Sequence, residues 1–188
     1  QLDVTRDEAA QRSADFVRDV FHKDVSDYTS TTTWQVDSGP KTYLEKELGV
    51  EQTRELADPV VLWDFSTRYF KPSQKEEIRV SVAPDGRVVG YGHVLDEAAP
   101  GAKLSREEAL ALAETARREI VQQEGGWELV DASSSDLPAR RDWTFSWKRT
   151  DLTIPATGPG DRDQSQARLN MIVRGDEVGA FWLALKVP

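Results

Sequence analysis

Two histidines and 33 carboxylates are the side chains of this chain best suited to acid–base or metal chemistry. His22 lies near the end of a predicted helix and His93 on a predicted strand, and neither belongs to a His-Glu-x-x-His sequence or another metal-ligand spacing. The absence of cysteine excludes thiol nucleophiles, disulfides and thiolate metal sites. We therefore expect no metal site, no cofactor and no catalytic histidine.

The serine-rich and acidic segments match no catalytic or metal-binding motif well. Ser133, Ser134 and Ser135 lack the Gly-x-Ser-x-Gly sequence of a nucleophile elbow, and we interpret them as a turn. Residues 161–165 resemble a calcium loop, but they lack glycine at the sixth position and have Ile172 where the bidentate glutamate belongs. The sequence therefore assigns no catalytic residue, and it does not identify ligand-binding residues.

Paired carboxylates could serve as the acid and the nucleophile of a hydrolase, and 33 acids make some pair inevitable on the surface. Asp64 is the most interesting acid because it lies between Trp63 and Phe65, but strand alternation predicts that it points away from both, into solvent. Exposed aromatics could instead bind a peptide or a glycan, although core packing explains most tryptophans. The candidates are Trp34, Trp127, Trp147 and Trp182.

Composition limits the classes of function. A net charge of -9 with dispersed lysines and arginines argues against nucleic-acid binding, which needs a clustered basic surface. Hydrophobic residues make up 38% of the chain, enough for a folded core, and no stretch is apolar for long enough to span a membrane. Because the chain opens at Gln1 and stops at Pro188 directly after a strand-like run, we expect it to be a segment of a longer protein.

Two helices are predicted to begin with the same pattern, 100 residues apart. Thr5 with Glu8, and Ser105 with Glu108, each form a capping box in which the hydroxyl and the carboxylate satisfy exposed backbone amides. Apolar residues then recur with helical spacing in both segments. The sequence predicts two amphipathic helices, each with one buried face.

Strand patterns also occur twice. The sequence Trp-x-Phe at residues 63–65 and 143–145 places two aromatics on one face of a strand. A hairpin follows each strand, with Gly86 in the first turn and Gly175 in the second, where positive φ is often needed. These matches predict two diverged copies of one unit.

The two copies differ in their insertions. Residues 31–36 and 127–130 can each supply a first strand. The first copy then has an inserted segment, residues 42–56, that reads as two short helices separated by Gly49. The second copy instead has a long loop at about residues 150–166, and loops of this length are either functional or mobile.

The predicted fold class is α+β, with two repeats that each pack a helix on an antiparallel sheet of about four strands. The first repeat covers residues 1–97, with the helical insertion near 41–57, and the second covers residues 102–188. Because the linker at residues 98–101 is short, we expect the two repeats to pack together, with their sheets side by side.

The helix that begins at residues 105–110, the strand with Trp-x-Phe and the hairpin with glycine resemble the PepSY-type or cystatin-like extracytoplasmic module. The two-copy arrangement is similar to the soluble region that precedes the membrane helices in some bacterial CPBP-family intramembrane proteases. The resemblance covers nearly the whole chain, and the inserted residues 42–56 depart from it. It implies an extracytoplasmic domain, periplasmic or at the cell surface, tethered to a membrane in the full-length protein.

The catalytic motif of that protease family is a Glu-Glu pair followed after three residues by arginine. The pair at residues 107–108 has Leu112 at that place, and the pair at residues 76–77 has Ser81. If the parent protein is such a protease, its chemistry therefore lies outside this chain.

Three functions remain as hypotheses. The first is a non-catalytic sensor or regulatory domain that binds a protein or peptide, including the membrane portion of its own chain, through an exposed sheet edge or a concave aromatic face. The second is a passive spacer with neither a groove nor an apolar patch. The third is a stand-alone carboxylate hydrolase, which requires a deep cleft and a carboxylate with a displaced pKa.

Overall fold

The computed structural model describes residues 3–121, 125–155 and 165–188, which form four helices and one antiparallel sheet of eight strands. The predicted α+β class is confirmed. In chain order the elements are α1 (Arg6–Phe21), β1 (Thr29–Val36), α2 (Ser38–Leu48), α3 (Val50–Leu56), β2 (Trp63–Phe70), β3 (Glu77–Val82), β4 (Val88–Val94), α4 (Arg106–Ile120), β5 (Trp127–Asp136), β6 (Arg141–Arg149), β7 (Gln166–Arg174) and β8 (Glu177–Lys186).

Both predicted capping boxes are present. The Glu8 backbone amide donates to the Thr5 hydroxyl over 3.2 Å, and the Glu8 carboxylate accepts from the Thr5 backbone amide over 2.7 Å. Ser105 and Glu108 repeat this exchange at the start of α4, over 3.3 and 2.8 Å. Each exchange satisfies two amides that have no partner within the helix, so both helices begin where the sequence indicates.

The order of the strands is β1-β2-β3-β4-β8-β7-β6-β5, and all neighbours are antiparallel. The first four strands and the last four meet where β4 pairs with β8, through the residue pairs Gly90 with Trp182, Tyr91 with Phe181, and Gly92 with Ala180. The two halves of the chain thus share one continuous sheet.

The two predicted hairpins are confirmed. In the β3–β4 turn Gly86 has φ 91°, and in the β7–β8 turn Gly175 has φ 63°, a backbone conformation that favours glycine. A side chain at Gly175 would also crowd the backbone nitrogen of Ala102, which would lie 2.9 Å from an added Cβ. Glycine therefore fixes both the turn and the approach of the segment that precedes α4.

The main core lies between the sheet and helices α1 and α4. Phe16 and Val17 of α1, Ala113 of α4, and Phe145 and Phe181 of the sheet belong to one buried cluster. Because β7 alternates buried and half-buried residues, its side chains divide between this side of the sheet, called the helix face, and the opposite side, called the far face.

A second buried cluster joins the insertion to the other half of the chain. Leu44 of α2 and Leu62 before β2 are almost fully buried together with Ile154, Ala167 and Leu185. Leu44 lies in α2 and Leu62 just before β2, in the first half of the chain. Ile154 follows β6, Ala167 lies in β7 and Leu185 lies in β8, in the second half. The insertion, α2 and α3 separated by Gly49, therefore contributes to the contact between the halves.

Arg140 fixes the short connection between the halves. Its side chain is almost fully buried, donates to the carbonyl oxygens of Asp96 and Ala99 over 2.9 and 2.8 Å, and pairs with Asp142 over 2.9 Å. The Gly101 backbone amide also donates to the Ala139 carbonyl. These bonds hold residues 96–101 against the β5–β6 turn, so the connection is a packed element of the fold.

One strand is longer than its pattern indicates. The prediction that Ser133, Ser134 and Ser135 form a turn is wrong, because all three lie in β5 and pair with residues of β6. The turn follows instead at Leu137, whose amide donates to the Arg140 carbonyl. Backbone ladder bonds along β6 outweigh the weak strand preference of serine.

Candidate binding surface at the β1 edge

Strand β1 lies at one end of the sheet, so one side of its backbone has no strand partner among the described residues. Its sequence, Thr-Ser-Thr-Thr-Thr-Trp-Gln-Val, has no charge and no proline, and seven of its eight residues are exposed. All eight residues pair one to one with β2, from Thr29 with Phe70 to Val36 with Trp63, without a bulge. Such an edge is a template for the addition of another strand.

The opposite edge strand, β5, has the features that protect an edge from pairing. It contains Glu128, Asp131 and Asp136, and its register with β6 shifts between Leu129 and Asp131. Charges and bulges both discourage the addition of a further strand. Within the described part of the chain, β1 is therefore the edge better suited to the addition of a strand.

Two apolar side chains are exposed at the end of β1. Trp34 is 44% exposed and packs edge-on against Phe65, with ring centroids 4.8 Å apart, while Val36 is 43% exposed. An indole held by an aromatic neighbour presents a large apolar area at little cost in side-chain entropy. The pair offers an anchor for an apolar residue of a partner.

A hollow of about 760 Å³ lies between the end of α1 and the start of β1. Its lining includes Arg18, His22, Tyr28, Ser30 and Tyr69. A strand added beside β1 would direct every second side chain towards this side of the sheet. The hollow therefore adjoins the open edge and can receive such side chains.

Two cations at or beside this hollow, Arg18 and Lys71, are paired within the protein. Arg18 binds Asp15 and Asp19 over 2.8 and 2.7 Å. Lys71 binds Asp27 over 2.6 Å and lies 4.4 Å from the centre of the Tyr28 ring. Because both cations are already compensated, this part of the surface suits a segment of low charge, while Lys23 and Asp24 also line the hollow.

The four tryptophans predicted as possible exposed aromatics divide into two groups. Trp147 is 1% exposed, and its indole N–H donates to Glu114 over 2.8 Å, while Trp127 is partly buried against the main core. Trp34 and Trp182 are exposed. Trp34 pairs with Phe65 on the helix face and Trp182 lies on the far face beside Gly90, so the two do not form one site.

The two histidines have structural positions. His22 ends α1 in the left-handed conformation, with φ 52°, and its amide donates to the Val17 carbonyl. His93 is buried, and its Nε2 lies 2.7 Å from a carboxylate oxygen of Glu76. Burial lowers the pKa of His93, which the hydrogen bond to Glu76 partly offsets, so the neutral ring donates to the carboxylate near pH 7.

The prediction that Asp64 points into solvent is wrong. Its side chain does point away from the face of the sheet that carries Phe65, but it is half-buried near Ser81. Burial raises the pKa of the Asp64 carboxyl, against the hydrogen bond from Ser81, and the charge of Asp37 raises it further. Burial also raises the pKa of Asp37. These two acids are the carboxylate pair closest to the hydrolase hypothesis, yet neither lines the hollow beside β1.

Other predicted sites receive less support from the structure. The acidic part of the possible calcium loop, residues 161–164, lies outside the described residues. Within the described ranges, no group of three or more histidine, cysteine or acidic side chains is arranged to hold a metal ion. The described helices also include none that is long and apolar enough to cross a membrane.

Sequence reasoning missed Arg140, whose buried side chain no local pattern distinguishes from a surface arginine. It did name an exposed sheet edge as a possible contact, but it did not identify which edge. The sequence did contain a signal for the β1 edge, since residues 29–36 are uncharged in a chain that is 30% charged.

No protein-family model matches the chain, and comparison with curated proteins and with solved structures gave no match.

Proposed function

We propose that this chain is a non-catalytic regulatory domain that binds an extended protein or peptide segment as an additional strand beside β1. The observation that carries the proposal is the contrast between the two edges, since β1 is uncharged and regular while β5 is charged and bulged. Main-chain hydrogen bonds would supply affinity, and the neighbouring hollow and Trp34 would select side chains.

We further propose that residues 1–97 and 102–188 are two diverged copies of one unit with a PepSY-like or cystatin-like plan. The order helix then four strands occurs in both stretches, apart from the insertion of α2 and α3. The capping boxes at Thr5 and Ser105 and the central pairing of β4 with β8 also support two related halves. In this view the first copy retained an open edge strand, and the second lost it to charge and a bulge.

The proposed setting is extracytoplasmic, in a larger membrane-anchored protein such as a CPBP-family intramembrane protease. The bound segment would belong to a separate protein or to the membrane portion of the same chain. A sensor of this kind needs no catalytic group of its own, which agrees with the absence of the Glu-Glu-x-x-x-Arg motif.

Selection of peptides from a displayed random library on the immobilised domain, followed by amide-resolved NMR titration, tests the binding function. We expect extended peptides rich in β-branched and aromatic residues, with shifts confined to β1, β2 and the adjoining hollow. Thr33→Lys should weaken binding at least tenfold, because a charge on the edge discourages strand addition. Ser133→Lys on β5 is the matched control, since both residues are exposed on an edge strand, and it should leave affinity unchanged.

Failure to enrich any peptide would favour the passive spacer. Enriched peptides whose shifts fall away from β1 would also contradict the proposal. The hydrolase alternative rests on Asp37 and Asp64, whose pKa values are both raised. Turnover of glycoside or ester substrates that Asp64→Asn abolishes would replace the binding function with that alternative.

A further inference from the structure

The far face of the second half carries a hollow of about 450 Å³ on strands β5 to β8. Polar groups from four strands converge on it, namely Asp131, Thr144, Ser146, Arg168, Asn170 and Lys186. It differs from the hollow beside β1 in position and in chemistry, because neither of its cations, Arg168 and Lys186, forms an ion pair with a described residue. The proposed peptide function makes no use of this surface.

Arg168 is the unusual residue of this hollow. Its guanidinium is half-buried and donates to the Gln166 side chain over 2.6 Å, but its Nε atom is buried and has no hydrogen-bond partner among the described residues. Among the described residues no carboxylate lies within the 4.0 Å of an ion pair, and the charge of Asp131 acts on it only from farther away. Burial accordingly lowers the pKa of Arg168.

A partly buried guanidinium that lacks a counter-ion lowers the stability of a protein, and a bound anion removes this cost. Lys186 is exposed on the same hollow and also forms no ion pair with a described residue. The hollow holds these two cations and one carboxylate, Asp131, so it keeps a net positive charge in a chain of net charge -9 and can attract a negative group. The planar donors of arginine match a carboxylate in particular.

The surroundings of the two cations favour a ligand with many hydroxyl groups. Asp131, Ser146, Asn170 and Trp182 are successive cross-strand partners, and so they form one row across β5, β6, β7 and β8. Trp182 is 39% exposed, and next to it in the row stands Gly90, which has no side chain to cover the indole. Hydroxyl, amide and carboxylate groups beside an open aromatic ring can bind sugar hydroxyls and stack on a sugar ring.

We propose that this hollow binds a carboxylate-bearing saccharide. Arg168 and Lys186 hold the carboxylate, Ser146 and Asn170 bind hydroxyl groups, and Trp182 stacks on the neighbouring sugar. Asp131 accepts from a hydroxyl and excludes ligands whose second charge would fall beside it. The site is independent of the β1 edge, so either function can fail without the other.

Titration of the full chain with tetragalacturonate and with a hyaluronan tetrasaccharide, followed by NMR, tests the site. The fully methyl-esterified tetragalacturonate is the matched ligand, because it has the same sugar backbone with each carboxylate replaced by a neutral methyl ester. We expect saturable shifts at Arg168, Asn170 and Trp182 with at least one acidic probe. The ester should bind at least tenfold more weakly, which corresponds to about 1.4 kcal/mol.

Two variants and one control separate the site from general charge effects. Arg168→Gln should weaken binding at least tenfold, and Trp182→Ala, an exposed position that leaves the core intact, should also weaken it. Arg79→Gln removes an arginine from the far face of β3 that is already paired with Glu77, and it should leave binding unchanged. Any of three results would overturn the proposal. These are no saturable shifts with either acidic probe, equal affinity for the ester, and unchanged binding in Arg168→Gln.

Discussion

Replacement of Phe145 by alanine tests whether the continuous sheet makes the two halves one cooperative unit. Phe145 is fully buried in β6, and its nearest aromatic partners, Trp143 and Trp147, lie 5.9 and 6.0 Å away by ring centroids in the same half of the chain. Truncation of a buried phenylalanine costs about 3–5 kcal/mol. A domain with an unfolding free energy on the order of 5–15 kcal/mol can survive that loss.

The diagnostic signal lies in the other half. If the halves unfold together, the best-protected amides of β2 and β3 should exchange faster in Phe145→Ala by the same factor as those of β7. A loss of about 3–5 kcal/mol corresponds to about a hundredfold to several thousandfold. Native-state hydrogen exchange measured by NMR at Thr67 and Val80, and at Leu169 and Met171, provides the comparison.

Val130→Ala is the control for this experiment, because Val130 is 37% exposed on β5. It should change the free energy of unfolding by less than about 0.5 kcal/mol and leave exchange in both halves unchanged. Faster exchange confined to β5–β8 in Phe145→Ala, with β2 and β3 unaffected, would refute the reasoning. The junction of β4 with β8 would then be a contact between two independently folding halves.

Three further predictions concern contacts that hold the fold. Leu44→Ala should lower the free energy of unfolding by about 2–5 kcal/mol in urea denaturation. Because the second cluster joins α2 to β8, the substitution should expose Leu185 as well as α2. An effect confined to α2 and α3 would count against that cluster. Arg140→Ala should lower the free energy of unfolding by about 3–5 kcal/mol in the same assay, since it leaves Asp142 and two carbonyl oxygens without this partner. A loss below about 1 kcal/mol would show that this residue does not hold the connection. Because the folded-state pKa of Asp64 is raised, its contribution to stability is fully present below its unfolded pKa and is lost as pH rises through the folded pKa. Asp64→Asn should therefore be more stable than the parent at pH 7 and lose that advantage near pH 3, and thermal melts at the two values would contradict the assignment if the difference were independent of pH.

Local signals in the sequence predicted much of the secondary structure. The capping boxes at Thr5 and Ser105 and the turn glycines at positions 86 and 175 act through backbone atoms a few residues away, so the chain nearby contains the information. The turn interpretation of Ser133 to Ser135 failed for the opposite reason. Their pairing with β6 is a property of the neighbouring strand, which overrides the weak preference of the residues themselves.

The candidate surfaces were less accessible to sequence reasoning. Residues 31–36 and 127–130 were both predicted as strands, but their positions at the two edges depend on the order of the strands in the sheet. The burial of Asp64, and whether Arg168 has an ion-pair partner among the described residues, also depend on groups far away in the chain. Burial and charge pairing are properties of assembled neighbours, which periodicity cannot report.

The sequence by itself determined that this chain forms amphipathic helices and alternating strands of an α+β fold, because helix caps, turn glycines and residue alternation act over short distances. Only the tertiary structure decided that β4 pairs with β8, that Leu44 meets Leu185, and that β1 rather than β5 is the unprotected edge. The physical reason is that each of these features is a contact between segments distant in the chain. Their free energy depends on the whole arrangement of the sheet, and no short segment specifies it.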